Sequence, residues 1–225
     1  MNCEDIRKHK LFQGIAPDHL ERMLECSKSR FKRYKKGAMI FHEEEDACCL
    51  YVLVKGRVMI VKHLISGRKN TLYEVEEGQI FGEHYIFGDT MTYQYGAQAS
   101  TDIEVLEIPC TFFYSFCAEN CGHHQILMRN ILGILATKEW LSVKKLNIVS
   151  ASSLKERISI WLMDEADEDG MVHLKMNREE LADYLGVARP SLSRALMRMQ
   201  SEEMIYVGRN YMKIINYEKI ENFCN

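Results

Sequence analysis

The sequence has little net charge, no long hydrophobic run and no paired-cysteine motif. Its 29 lysines and arginines face 32 aspartates and glutamates, for a net charge of −3. A chain coated in positive charge is excluded, so any contact with nucleic acid must be confined to one face. Met1 to Lys10 is polar and charged without an apolar core, so no secretory signal is expected. The most apolar run, 126–136, is interrupted by Arg129 and is too short to span a bilayer. No membrane partner and a cytoplasmic location are the expectations. Eight cysteines, at 3, 26, 48, 49, 110, 117, 121 and 224, form no C-x-x-C pair. They read as reduced thiols. An iron–sulfur or redox site on Cys110, Cys117 and Cys121 is the alternative, but their spacing matches no strong ligand pattern. Internal repeats and low-complexity tracts are absent. What is present, 47% hydrophobic and 27% charged residues, is ordinary for a globular chain with a real core.

The most informative stretch is Asn177 to Gln200. Asn177 with Glu180 three residues on forms a capping box. Leu181, Ala182 and Leu185 supply one apolar face. Gly186 is a left-handed stop. Pro190 stands where a second helix starts, because its missing N–H is an unpaired donor position there. Leu192, Leu196 and Met199 then return at helical spacing. Between Val187 and Ser201 there are three arginines and no acid. Helix, glycine turn and acid-free basic helix is the layout of a DNA-reading helix-turn-helix. An ordinary αα-hairpin is the plainer alternative.

Residues 4–31 read as helical, with Pro17 at an N1 position. Arg30 to Lys36 alternates basic and aromatic residues; it suits a half-exposed strand or a nucleic-acid patch, and we read a strand. From Lys36 to Pro109 short period-two runs alternate with glycine turns, the pattern of an antiparallel barrel or jelly roll. Such a barrel fills itself or holds one small ligand. Thr111 to Cys117 reads as a short helix. A long helix over about 124–149 carries Ile126, Leu127, Ile131, Ile134, Leu135, Leu141 and Ile148. Its length suggests a dimer seam, the alternative being burial against its own barrel. Ser150 to Ser153 is a polar hinge, with Ser152 or Ser153 capping a helix over 154–165. After the helix-turn-helix, 204–207 and 211–215 flank a Gly208-Arg209-Asn210 turn as a wing hairpin. The fold class is α+β: an N-terminal antiparallel β-roll or jelly-roll barrel, a long dimerisation helix and a C-terminal winged helix-turn-helix. The expected domains are 1–118, 119–150 and 151–225.

This order resembles the CRP/FNR family of bacterial transcription regulators along nearly the whole chain. Phe81-Gly82-Glu83, the long helix and Asn177 to Met204 carry the resemblance. It implies a homodimer reading a palindromic site on double-stranded DNA, with RNA polymerase as a further partner and a small-molecule effector in the barrel. Arg189 and Arg194 match the family's two base-reading arginines, and Ser193-Arg194 resembles the Ser-Arg pair of the FNR branch. Ser191 and Ser193 complete the expected base contacts. Asn177, Arg178, Arg198 and Arg209 are assigned to phosphate. Pro190 stands where the family usually has glutamate, and a proline cannot accept from a cytosine amine.

The barrel also departs from the family. Gly82-Glu83 match the Gly-Glu pair of cyclic-AMP-binding members, unless they are only a structural turn. The Arg-Ser that should follow falls at Tyr93-Gln94. No lysine or arginine lies between Glu83 and Ser100, and a buried phosphate without a basic partner is costly. Standard cyclic AMP binding is therefore not expected, and the cofactor is unknown. The candidate effector pocket comprises Gly82, Glu83, Tyr85, Tyr93 and Gln94, with Leu141 and Ser142 from the long helix. Tyr85, Tyr93 and Tyr95 suit a neutral or aromatic ligand, or fill the barrel. The N-terminal cysteine cluster of the FNR branch is absent. His123-His124 raise the idea of haem, but adjacent histidines at a helix start are more commonly solvated or capping. Two rivals to the effector-controlled regulator are carried. A cupin-like metal enzyme needs clustered strand ligands, and His42, His63 and His84 show no H-x-H spacing. A constitutive DNA binder would keep a vestigial barrel. An enzyme is not the expectation.

Overall fold

The run Cys49 to Val54 is apolar at nearly every position because both of its faces are buried. The computed structural model describes residues 3–64, 68–88, 90–114 and 122–223. The first part comprises α1 (Cys3–Arg7), a 3-10 turn at Lys10–Phe12, α2 (Pro17–Cys26), β1 (Arg30–Tyr34), β2 (Met39–Phe41), β3 (Cys49–Lys55), β4 (Val58–His63), β5 (Lys69–Val75), β6 (Ile80–Phe81), α3 (Glu83–Phe87), β7 (Gly96–Ala99), β8 (Ile103–Pro109) and α4 (Thr111–Tyr114). The strands form two antiparallel four-stranded sheets, β1-β8-β3-β6 and β2-β7-β4-β5. Side chains alternate along β3. Leu50 and Val52 enter a core shared with α1, α2 and α4, while Tyr51 and Leu53 face a second core shared with β2, β4 and β7.

The remaining elements are α5 (Gly122–Ser150), α6 (Leu154–Glu165), β9 (Met171–His173), α7 (Arg178–Tyr184), α8 (Arg189–Ser201), β10 (Ile205–Val207), β11 (Tyr211–Ile214) and α9 (Tyr217–Glu221). Two compact units divide between Leu135 and Ala136, within α5. In the second unit, α6, α7 and α8 enclose an apolar core with a three-stranded sheet ordered β10-β11-β9. Ser153 caps α6 in a full capping box with Glu156. The wing hairpin forms as expected, with Ile205 opposite Ile214, and β9 extends it, with Met212 opposite Val172.

Several expectations change. The N-terminal helical stretch is two short helices and a 3-10 turn, and Arg30 already begins a strand. Glu83 starts α3 and does not continue a strand. The expected helix over 111–117 is described only to Tyr114; the rest lies outside the described residues. The seam residues also need correction. Leu127 and Ile131 are buried in the first unit's core and Ile148 in the second unit's, so none is available to a second copy. The large apolar residues α5 leaves exposed in the second unit are Trp140, Leu141, Val143 and Leu146, and in the first unit Leu132.

His123 and His124 are not solvated. They are 7% and 8% exposed, and His124 stacks on Phe112 with ring centroids 4.6 Å apart. Burial lowers both pKa values, and for His123 the nearby His19 and His124 add repulsion. His124 Nδ1 has no hydrogen-bond partner among the described residues. Both rings are therefore neutral packing groups.

Two outcomes follow. Asn177→Ala removes both cap bonds of α7 and should lower the stability of the second unit by about 1 kcal/mol. The urea midpoint shift is read on buried Trp161 in a Trp140→Phe background. The histidines set an acid dependence. Their folded pKa values lie below the unfolded value of about 6.5, so their contribution is full above that pH and is lost as pH falls through it toward the folded values. His124→Phe should flatten this acid limb in urea titrations at pH 7.5 and 5.5 (roughly one unit either side). An unchanged slope would assign the acid sensitivity elsewhere.

Candidate DNA interface and effector site

α7 has only seven residues, and both of its ends are closed. At the start, Asn177 Oδ1 accepts from the Glu179 and Glu180 amides at 2.9 and 3.0 Å, and Glu180 Oε2 accepts from the Asn177 amide at 2.7 Å. At the end, the Val187 amide donates to the Ala182 carbonyl at 2.9 Å and the Gly186 amide to the Asp183 carbonyl at 3.1 Å. This is a Schellman closure around Gly186, whose φ is +68°. Arg157 Nη1 donates to the Leu185 carbonyl at 3.1 Å and its Nε to the Ala151 carbonyl at 3.3 Å. The turn between the two helices is thereby tied to the start of α6.

α8 begins at Arg189 with Pro190 in its first turn. Leu192, Leu196 and Met199 are buried in the second unit's core. At about 100° per residue, the opposite side presents Pro190, Arg194 and Met197, with Ser191 and Ser193 on its two flanks. Arg189, Ser193 and Arg194 are all exposed, and Ser191 is half-buried on the flank. Arg194 Nη2 lies 3.5 Å from Ser191 Oγ. Arg189 thus stands exposed at the start of α8 and Arg194 on its outward side, with Ser193 between them.

The other four candidates are placed differently. Asn177 is engaged as the cap of α7. Arg198 Nε donates to Glu202 Oε1 at 3.0 Å, and Glu202 also pairs with Lys155. Those two cations hold the Glu202 carboxyl below its usual range. Arg178 is half-buried, and its Nη2 reaches the Gly208 carbonyl at 3.4 Å, linking α7 to the wing turn. Burial lowers its pKa. Arg209, at the wing tip, is exposed. Sequence reasoning missed Met197, which is 74% exposed on the same face as Arg194. Its helical phase was the available signal, since it falls between the buried positions.

In the first unit, Gly82 has φ +82° and precedes α3. A Cβ there would stand 3.1 Å from Tyr51 Cδ2 and 3.2 Å from the Cys49 carbonyl oxygen, so the backbone conformation favours glycine and a side chain would be tightly placed. Glu83 is 1% exposed, with Oε1 3.7 Å from His84 Nδ1. Tyr93 is buried and stacks on Phe41 with centroids 3.7 Å apart, and Tyr85 meets it edge-on at 5.0 Å. Tyr51 and Phe81 stack beside them at 4.9 Å. Burial raises the hydroxyl pKa values of Tyr51, Tyr85 and Tyr93, so these phenols are neutral.

Gln94 is exposed, and its carbonyl accepts from Lys62 Nζ at 2.6 Å. Lys62 is the cation that reading residues 83–100 alone could not find. It comes from β4, lies 3.3 Å from Glu43 Oε2 and sits over the Tyr95 ring. Burial alone would raise the Glu43 carboxyl, but bonds from His63 and Lys62 outweigh it and hold it low. The lysine's charge is thus already matched. Leu141 and Ser142 lie on the second unit's part of α5, both exposed, with Ser142 Oγ donating to the Lys138 carbonyl at 2.9 Å. Among the described residues, no group of three or more His, Cys, Asp or Glu could hold a metal ion, and no helix is long and apolar enough to cross a membrane.

Comparison with known proteins supplies the family. Residues 31–120 match the cyclic nucleotide-binding domain and residues 156–223 the Crp-like helix-turn-helix domain. The chain is similar to the cyclic AMP receptor protein of Thermus thermophilus, 22% identical over 204 residues, covering 91% of each. It is also similar to the nitrogen fixation regulation protein FixK of Rhizobium meliloti, 24% identical over 219 residues, covering 95% of this chain and 96% of that protein. The crystal structure of Thermus thermophilus catabolite activator protein shares the fold with a TM-score of 0.52 at 21% identity, covering 95% of this chain and 97% of that one. With its sensor-type domain before a DNA-binding winged helix-turn-helix, the chain belongs to the CRP/FNR family of DNA-binding transcription regulators, in which the cyclic-nucleotide-binding-like domain carries effector control.

Proposed function

We infer that the chain acts as a homodimer that lays α8 of each copy into the major groove of a palindromic DNA site. The observation that carries this reading is the exposure of Arg189, Ser193 and Arg194 on α8, with no acid from Val187 to Ser201. Arg189 and Arg194 each offer a guanidinium fork to guanine O6 and N7. Ser193 reaches a base edge, and Ser191, on the flank, reaches a base edge or phosphate. Arg209 on the wing neutralises phosphate, while Asn177, Arg178 and Arg198 act mainly by holding α7, the wing and the end of α8 in place. The exposed Trp140, Val143 and Leu146 of α5 recur at helical spacing, which supports them as part of the surface that covers a second copy. The working division is 1–118 as sensor, 119–150 as dimerisation helix and 151–225 as DNA reader.

Arg194→Ala should cost ~1–3 kcal/mol at one guanine of each half-site and leave other positions unchanged. Footprinting on a selected site reads this directly, and protection of two half-sites one helical turn apart is the dimer's signature. Uniform weakening across sequences would make Arg194 a phosphate contact. The same fragment in a reconstituted transcription assay tests RNA polymerase as the responding partner.

The stacked Phe41–Tyr93 pair and the matched Lys62–Glu43 charges favour an effector other than a free cyclic nucleotide monophosphate. A buried anionic phosphate would have no unmatched cation among the groups named here. Cyclic AMP should therefore leave the thermal midpoint of the intact protein unmoved. A ligand present at 100 times its Kd would instead add about 2.7 kcal/mol, so a clear upward shift with cyclic AMP overturns this reading.

A further inference from the structure

Met197 is the most exposed of the large apolar side chains that the described residues leave in solvent, at 74%. It stands on α8, whose other large apolar residues, Leu192, Leu196 and Met199, are buried. Its phase puts it on the outward side, one turn beyond Ser193 and Arg194. It is displaced from Arg194 by about 4.5 Å along the axis, close to the 3.4 Å step of one base. Its neighbours there are neutral or cationic. Ser193 and Arg194 precede it, and the nearest following acid, Glu202, is paired with Lys155 and Arg198.

An unbranched apolar side chain in such a place contributes nothing to the core and has no charge to offer a phosphate. Its chemistry suits one feature of the major groove, the C5 methyl of thymine, which is the groove's only apolar mark. Pro190, on the same side, removes the acid that would otherwise accept from cytosine, so the surface is polar only through its arginines and serines. Methionine's flexible thioether adapts to a methyl whose position differs slightly between steps.

We propose that Met197 is a specificity-determining residue that reads a thymine in each half-site by packing on its C5 methyl. This rests on the groove-reading assignment of α8 made above. The helix thus reads guanine through Arg189 and Arg194 and thymine through Met197, and the thymine adjoins the guanine contacted by Arg194.

The test uses the full chain. A site is first selected from random duplexes, and each thymine is then replaced by uracil, which removes the methyl and leaves the hydrogen-bonding groups in place. One thymine per half-site, next to the guanine lost in Arg194→Ala, should lose about fourfold in affinity on replacement, the factor that ~0.8 kcal/mol for a methylene-sized group gives. Met197→Ala should bind the thymine site as weakly as the parent binds the uracil site, and should be indifferent to the replacement. Met197→Leu should keep most of the discrimination. Because Met197 touches no core, thermal midpoints of all three proteins should agree.

If a site is selected and Arg194→Ala relaxes one guanine, but uracil is neutral everywhere or acts equally on Met197→Ala, the Met197 assignment falls and the groove reading stands. If no site is selected, both fall. Normal DNA binding by Met197→Ala together with defective transcription would assign the side chain to a protein partner and likewise overturn the proposal.

Discussion

The second unit depends on the closure of a helix too short to stand alone. α7 spans seven residues, so most of its amides and carbonyls lie within the first and last turns and lack internal partners. Asn177 and Glu180 satisfy the start, Gly186 and Val187 close the end, and Arg157 takes the Leu185 carbonyl from outside. With both ends determined, the chain has one route into α8. Leu192, Leu196 and Met199 then set the rotation of α8 about its axis. The readout surface is what remains. Arg194 and Met197 are presented outward because three other side chains are held inward, and neither determines its own position.

The sensor domain is governed by a different constraint, the filling of a small double-sheet interior by aromatics. Phe41, Tyr51, Phe81 and Tyr93 lie in stacked pairs between the sheets, with the phenols neutral. Gly82 takes a positive φ there, and a Cβ would crowd the ring of Tyr51. Lys62, over the Tyr95 ring, is matched by Glu43 and held at the Gln94 carbonyl. The space between the sheets is thus occupied by the protein's own apolar and neutral groups. Effector control belongs to the family.

Much of the fold was legible because it is written in local chemistry. The Ser153 and Asn177 caps, the Gly186 stop and the glycine turns between strands act over four or five residues, and a reader of the chain sees them whole. The acid-free face of α8 was visible for the same reason. Other assignments depended on partners distant in sequence. Arg198 pairs locally with Glu202, but Lys155 reaches the same carboxylate from 47 positions away. Arg178 reaches the wing turn at Gly208, 30 positions on. Lys62 lies more than thirty positions from Gln94, so a window over 83–100 could not contain it.

The long helix marks the boundary between the two kinds of information. Its length and apolar content were determined by sequence alone, since helical periodicity is intrinsic to the chain. Which apolar residues turn inward was not, because two sides of α5 carry them. Only packing decided that Leu127, Ile131 and Ile148 enter the cores while Leu132, Trp140 and Leu146 stay exposed. The same packing buried His123 and His124, whose polarity had suggested solvent. Sequence determined the elements and the order in which sensor and reader occur. Tertiary structure decided which charges are already matched and which side chains remain open to DNA, because burial and ion pairing are properties of neighbours in space.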